Sequence, residues 1–546
     1  MNSSFVLTCS AKTKLLMKRY FLCIMLTTLL FACKQKSNTT TLASSSSLYD
    51  SSYQPAVFSD PDRLQKIQTS FAIIDSIYKN YATENHLPGI SFGVVADGKL
   101  VYSNSYGYTD IEKKIPVTAA SMFRIASMSK SFTCMAILKL RDEGKLKLDD
   151  PAYLYIPELQ QLKYPTADAP PITIRHLMTH SAGFPEDNPW GDRQLADTDK
   201  DLMEFIGRQI NFSNPPGIAY EYSNLGFALQ AKIITKVSGM RYQDYLKKNI
   251  FEPLGMSNTT YEFADVDAAK LAHGYRWLNN KWNEEVLLHD TPEGSWGAMG
   301  AMISSVNEFA GYMAFHLSAW PASNVPDNDP LKRSSVREMH HPWRWIGFDA
   351  GYTFPGGRKC AITTAYCYGL GWLNDCEGKT YIGHSGGLPG FGSQWRIMPD
   401  YGIGVVALAN RTYAPMGAVN LTVLDTLIRI AGLQPRQLPA SRILEQRKKE
   451  LYAILPAWTS AEQSGIFAEN FFADFPIDSL KKQAKDLYSK AGKIISVKEM
   501  KPDNQLRGTF IIEGEKIDIG IFFTLSPENP ALIQEYQMNE LPKAKL

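Results

Sequence analysis

Apolar side chains recur at three- and four-residue spacing at Ile67, Phe71, Ile74, Tyr78 and Tyr81. That period lays one apolar stripe along a helix and predicts a helix over about residues 62–85. Two runs, 90–96 and 99–106, flank Asp97-Gly98 and predict a tight hairpin. Further strand-like runs fall at 368–373, 380–384, 395–398 and 403–409, and a helical pattern follows over 419–430. Between about 144 and 301 the pattern is mostly helix and loop. From about residue 442 it changes again. A charged connector, Glu445-Gln446-Arg447-Lys448-Lys449-Glu450, leads to a helix starting near Asp478 and to strand-like runs at 494–500, 506–512, 516–525 and 532–538. A helix followed by an antiparallel sheet predicts a small α+β domain over 441–546.

The N-terminus carries a different pattern. Met17-Lys18-Arg19 begins a basic stretch, and an apolar run over 20–32 ends at Cys33. The run is too short to span a bilayer and fits an export signal. Leu30-Phe31-Ala32-Cys33 resembles a bacterial lipobox, which makes 1–33 a lipoprotein-type signal peptide and Cys33 the lipidated residue. Acyl chains there anchor the protein to a membrane of the cell envelope, facing the periplasm. The alternative is a cleaved signal that leaves a soluble periplasmic or secreted protein. A Ser/Thr-rich stretch over 34–60 cannot bury apolar surface and reads as a flexible tether.

Composition narrows the function. The 546 residues hold 57 Lys and Arg against 55 Asp and Glu, a net charge of +2 that gives no case for a nucleic-acid partner. No Gly-rich phosphate loop follows a strand, so no nucleotide or other cofactor is expected. His176 and His180 stand four apart, but no H-E-x-x-H glutamate or third ligand accompanies them, so no metal is expected either. Of seven cysteines, Cys360, Cys367 and Cys376 allow one disulfide in an oxidising compartment, with the pairing open.

Three short motifs carry the chemistry: Ser127-Met128-Ser129-Lys130, Tyr222-Ser223-Asn224 and His384-Ser385-Gly386. Each alone is weak, since S-x-x-K recurs at Ser76/Lys79 and Ser479/Lys482, and Y-x-N at Tyr78/Asn80 and Tyr102/Asn104. Context separates them. Ser127 follows Met122-Phe123-Arg124-Ile125 and opens an apolar helix, whose unpaired N–H groups favour negative charge. Lys130 rises on nearly the same face, and a desolvated lysine can accept the serine proton. Tyr222 follows the Pro215-Pro216-Gly217 turn, and neighbouring lysines would favour its phenolate for proton exchange. Asn224 offers both halves of an amide to a substrate. His384 and Gly386 share one face of a predicted strand and Ser385 the other, and Gly386 and Gly387 let a substrate backbone approach.

In this order, and with the flanks Gly144-Lys145-Leu146-Lys147-Leu148-Asp149-Asp150, Ile174-Arg175-His176-Leu177-Met178-Thr179-His180-Ser181-Ala182-Gly183 and Leu388-Pro389-Gly390-Phe391, the chain resembles the serine β-lactamase and penicillin-binding-protein superfamily. The branch is that of class C β-lactamases, D-alanyl-D-alanine carboxypeptidases, D-aminopeptidases and related esterases. The resemblance spans about residues 62–433. It implies an α/β fold, with an antiparallel sheet flanked by helices beside an all-helical subdomain, over 61–440. It also implies a serine hydrolase acting on a small-molecule or peptide substrate. Ser127 would be the acylated nucleophile, Lys130 its base partner, Tyr222 the second proton relay and Asn224 the holder of a substrate amide. The N–H groups of Ser127 and Gly387 would form an oxyanion hole. His384 stands where β-lactamases carry the lysine of K-T-G. A mostly neutral imidazole there holds a carboxylate more weakly, which puts efficient β-lactamase activity in doubt. The alternative function is a penicillin-recognising sensor or scaffold without turnover.

Overall fold

The computed structural model describes residues 52–285, 294–327 and 330–543. The expected signal peptide, Cys33 and most of the expected tether lie outside the described residues. At the tether's end Val57 exchanges backbone hydrogen bonds with Gln437, so the chain is held from there on. The helix expected over 62–85 is two helices, α1 (Arg63–Gln68) and α2 (Phe71–Glu84), interrupted at Thr69 and Ser70. The predicted hairpin forms as β1 (Gly89–Ala96) and β2 (Lys99–Asp110), followed by the short β3 (Ile115–Pro116).

The longest helices in the middle of the chain are α3 (Ser129–Asp142), α4 (Asn224–Ser238) and α5 (Val306–Ser318). Then come β4 (Arg344–Asp349), β5 (Ile362–Tyr366), β6 (Gly371–Asp375), β7 (Thr380–Leu388), β8 (Phe391–Met398) and β9 (Ile403–Ala409), closed by α6 (Met416–Ala431). The strands form one antiparallel sheet in the order β3-β2-β1-β9-β8-β7-β6-β5-β4.

The centre of that sheet is covered on both faces, which explains the unbroken apolar run of β9. Val405 and Ala407 join a core with Ile74, Tyr78, Val423 and Leu427 of α2 and α6. Val406 and Leu408 join the opposite core, with Phe132, Phe227 and Phe309 of α3, α4 and α5. Each fully buried Val or Leu in these layers contributes about 1.5–3 kcal/mol. Residues between 144 and 301 supply mostly helices and loops to the second core, with a small two-stranded hairpin at Tyr275–Leu278 and Lys281–Glu284.

From residue 442 the apolar contacts change partners. The stretch read as a charged connector is a helix, α7 (Arg442–Ile454), because Leu444 and Leu451 bury one face, with Arg447 between them donating to Ala531 O, while its other charges stay partly or fully exposed. It packs with α8 (Ile477–Ala491) on a second antiparallel sheet of β10 (Ile494–Val497), β11 (Lys501–Asn504), β12 (Arg507–Gly514), β13 (Asp518–Leu525) and β14 (Ile533–Leu541). The order is β10-β12-β13-β14, and β11 also pairs with β12. The region has a core of its own, around Trp458, Phe471, Ile512, Ile521 and Phe523. A disulfide joins Cys360 to Cys376, while Cys134 and Cys367 are free and buried.

Candidate active site

Ser127 lies in a single turn of 3₁₀ helix, Ala126–Met128, that feeds directly into α3. The turn is tight enough to hold Ala126 at φ +50°, a conformation costing a β-carbon-bearing residue about 1–3 kcal/mol. Surrounding contacts pin it. Ser393 Oγ on β8 donates to Ile125 O at 2.7 Å, and Ser129 Oγ donates to Ala126 O at 2.7 Å. Gly386 on β7 lies directly against the turn, for a Cβ there would meet Ile125 O at 2.3 Å and Ala126 Cβ at 2.9 Å. Glycine at 386 thus admits the protein's own backbone, not a substrate's as the sequence suggested.

The turn presents Ser127 Oγ to two groups, Lys130 Nζ at 2.9 Å and the Tyr222 hydroxyl at 2.8 Å. Lys130 is fully buried and, among the described residues, forms no ion pair. Its Nζ also donates to Asn224 Oδ1 and to Met299 O, both at 2.7 Å. Burial holds its pKa well below the usual lysine range, and the more distant Asp192 and Asp187 carboxylates offset that only in part. In the neutral amine the two N–H bonds serve Asn224 and Met299, which leaves the lone pair for the serine hydroxyl. Tyr222 is half-buried, and desolvation raises the pKa of its hydroxyl well above 10. The phenolate expected from the sequence is therefore disfavoured, and Tyr222 faces Ser127 as a proton donor.

Asp187 places the second motif at the start of α4. Its Oδ1 accepts from Asn224 N at 2.7 Å, and its Oδ2 accepts from Leu225 N at 2.9 Å and from Ser223 Oγ at 3.2 Å. A carboxylate there satisfies orphaned N–H groups and complements the helix dipole. Asn224 itself is fully buried. Its Oδ1 is taken by Lys130, and its Nδ2 donates to Asn188 Oδ1 at 2.7 Å. Asn188, not Asn224, reaches the cavity in front of the serine. That cavity has about 250 Å³ and is lined by Ser127, Asn188, Asp192, Tyr222, His384, Ser385, Gly387 and Tyr413.

The third motif lies along β7. Strand β6 pairs with β7 only as far as Gly371↔Gly383, whereas β8 pairs with it through Leu388. One edge of residues 384–388 is therefore not covered by a neighbouring strand, and an extended ligand can pair along it. His384 is buried. Its Nδ1 contacts Ser385 O, which can only accept, so Nδ1 carries the proton and Nε2 accepts from the Tyr366 hydroxyl at 2.9 Å. Burial and the nearby Lys130 push its pKa down to about 3. The imidazole is neutral at any working pH, so the partial charge expected of it near neutrality is not available. His180, buried at 4.2 Å from the Tyr222 ring, is likewise held neutral by burial and by Lys130, and its Nδ1 accepts from Ser223 N.

Ser127, Lys130 and Tyr222 thus converge, and Ser385 and Gly387 line the cavity beside them. Asp187, Asn188, Asp192, Tyr366 and Tyr413 were not singled out from the sequence. The only trace of the first two is the turn signal Asp187-Asn188-Pro189, because their partners are adjacent through space alone. Among the described residues no group of three His, Cys, Asp or Glu is placed to hold a metal ion.

A nine-stranded antiparallel sheet between helical layers, with a serine turn where sheet and helices meet, has the β-lactamase/transpeptidase-like architecture. The beta-lactamase family model matches residues 74–428, and the chain belongs to that family. Protein flp of Staphylococcus aureus (strain COL) is 28% identical over 353 residues, covering 63% of this chain and 64% of that protein. The chain thus spans about 64% of the length of that relative. Beta-lactamase-like protein 2 of Dictyostelium discoideum is 25% identical over 492 residues, 84% of each chain. Two solved structures share the fold. The octameric penicillin-binding protein homologue from Pyrococcus abyssi aligns with a TM-score of 0.54 at 21% identity, covering 87% of this chain and 91% of that one. The penicillin binding protein from Bacillus halodurans aligns with a TM-score of 0.50 at 22% identity, covering 64% and 98%.

Proposed function

We propose that this protein is an exported serine hydrolase that forms an acyl-Ser127 intermediate with a peptide or ester carbonyl, β-lactams being its poorer substrates. The observation carrying this reading is the position of Ser127 Oγ between the buried Lys130 amine and the Tyr222 hydroxyl. In acylation Lys130 Nζ takes the serine proton as Oγ bonds to the carbonyl carbon. The Ser127 and Gly387 N–H groups receive the oxyanion. When the bond to the leaving group breaks, Tyr222 delivers its proton to the leaving atom, and the Lys130 ammonium then returns a proton to the phenolate. Deacylation repeats the cycle with water as nucleophile. A neutral His384 offers no charge to a β-lactam carboxylate, which supports peptides and esters over β-lactams.

The test compares wild type with Ser127→Ala on p-nitrophenyl acetate, nitrocefin and D-amino-acid peptides, alongside fluorophosphonate labelling. Turnover and labelling by wild type, both lost in a folded Ser127→Ala, are expected. Labelling of Ser127 once without turnover would instead establish a sensor, and turnover by the variant would overturn the nucleophile. Export and anchoring at Cys33 form part of the proposal, and mass spectrometry of the mature N-terminal peptide tests them. An unmodified Cys33 on the mature protein would remove the anchor.

A further inference from the structure

The cavity at Ser127 is lined by a single charged side chain. Asp192 is its one acidic residue and no lysine or arginine lines it, while His384 is neutral and Tyr222 and Tyr413 keep their protons. Asp192 sits in a turn of 3₁₀ helix, Gly191–Arg193, and is 2% exposed. Its Oδ2 accepts from the Tyr413 hydroxyl at 3.1 Å. Its Oδ1 is buried without a hydrogen bond, and among the described residues the carboxylate forms no ion pair.

An unpaired carboxylate taken out of water is costly, and a cation brought to it offsets that cost. Lys130 does not serve, because its amine spends its contacts on Ser127, Asn224 and Met299 and meets Asp192 only at longer range. The cavity also decides which half of a substrate would reach Asp192. Tyr222 delivers its proton to the leaving atom, so the departing portion lies toward Tyr222 and His384, where the cavity adjoins a larger one of about 350 Å³. Asp192 and Tyr413 line the cavity at Ser127 and not the larger one. They stand beside the portion that stays on the serine.

We propose that Asp192 binds a protonated amine on the acyl portion of the substrate, with the Tyr413 hydroxyl holding the other carboxylate oxygen in place. This assignment rests on Ser127 as the acylated nucleophile. It narrows the substrate class to aminoacyl esters and peptides with a free amino end. The same pairing acts on the base. Asp192 favours the protonated form of Lys130, and a bound ammonium offsets that charge, so more of Lys130 stands as the free amine that takes the serine proton. Burial pushes the pKa of Asp192 itself up to about 6, with Lys130 and Tyr413 opposing the shift and Asp187 and Glu186 adding to it. At about pH 7 the carboxylate is therefore charged, and an α-amino group of ordinary pKa, about 7.7–8.0, is protonated.

Two measurements test it. Benzyl esters of D-alanine, L-alanine and β-alanine are each compared with the ester in which a methyl replaces the ammonium, isobutyrate for the alanines and butyrate for β-alanine. The first measurement is binding to folded Ser127→Ala by calorimetry, which needs no turnover. At least one amino ester is expected to bind about tenfold more tightly than its neutral counterpart. Ser127→Ala/Asp192→Asn is expected to lose that preference and Ser127→Ala/Asp192→Glu to keep part of it. The second is the ratio of kcat/KM for the same pairs, expected to favour the amino ester in wild type and to fall toward 1 in Asp192→Asn. The acid limb of kcat should also lie at lower pH for the amino ester than for its counterpart, since Asp187, Cys134, Tyr222, His180 and His384 surround Lys130 alike with both. Asparagine keeps the shape and an acceptor for Tyr413; should that variant not fold, Ser127→Ala and its Asp192→Glu form decide the question. Equal binding within every pair, the result if water alone occupies the site, overturns the proposal, as does a preference indifferent to Asp192. Preferred binding without preferred turnover overturns the placement on the acyl side. Failure of the hydrolase reading shows instead as no turnover of any ester, or as turnover by Ser127→Ala, and the binding comparison still decides Asp192.

Discussion

Replacing Lys130 with Met keeps the length of the side chain and removes its amine, which separates the chemistry from the packing. Acylation of Ser127 should slow by about 10²–10⁴, the range of a positioned general base. Stability responds through two opposed effects. Asn224 Oδ1 and Met299 O lose their donor, at about 1–3 kcal/mol for each buried acceptor left unmade. Against this, the fold no longer has to desolvate a lysine. The second effect has a signature in pH. Because the folded pKa lies below the unfolded value near about 10.4, the unfolded chain binds more protons between the two values. Wild-type stability therefore rises with pH in that window, by up to about 1.4 kcal/mol per unit from this one group. Lys130→Met lacks that rise. Urea unfolding of both proteins at several alkaline pH values gives the difference, in which other titrating groups cancel. Stopped-flow acylation by a chromogenic ester gives the rate. Acylation of the variant within tenfold of wild type, or a stability difference that stays flat across the window, would refute Lys130 as the buried base.

His384 stays neutral down to about pH 3, so any preference for carboxylate substrates should not grow between about pH 8 and about pH 6, where an ordinary histidine gains its charge. A ratio of kcat/KM for charged over neutral esters that climbs through that interval would show the imidazole titrating. Asp187→Ala removes the acceptor for Asn224 N and Leu225 N, and should cost about 0.5–2 kcal/mol in urea unfolding. It should also slow acylation, because Asn224 then holds Lys130 less firmly. Unchanged stability with an unchanged rate would deny Asp187 both roles.

The periodic parts of the molecule were legible in the sequence, because their cause is local. Asp97-Gly98 specifies its hairpin, and the strand runs at 395–398 and 403–409 fall inside β8 and β9. Errors arose where charge was read as exposure. Residues 445–450 are dense in charge, yet Leu444 and Leu451 flank them at helical spacing and fasten α7 to the second sheet. In the site, Ser127, Lys130 and Tyr222 could be named from motifs, but their protonation states could not. Those depend on burial, a property of the folded whole. The same holds for Gly386, whose neighbour is the backbone of Ile125 and Ala126, distant in sequence.

Burial also explains why the site is built from neutral groups around one lysine. His180 and His384 are each kept uncharged by desolvation and by Lys130, and Tyr222 is kept protonated. A permanent cation at position 384 would stand near the Lys130 amine and hold it neutral more strongly still. It would also leave the Tyr366 hydroxyl without its acceptor. The neutral histidine of β7 thus leaves the Lys130 amine basic enough to take a proton and gives the Tyr366 hydroxyl its acceptor.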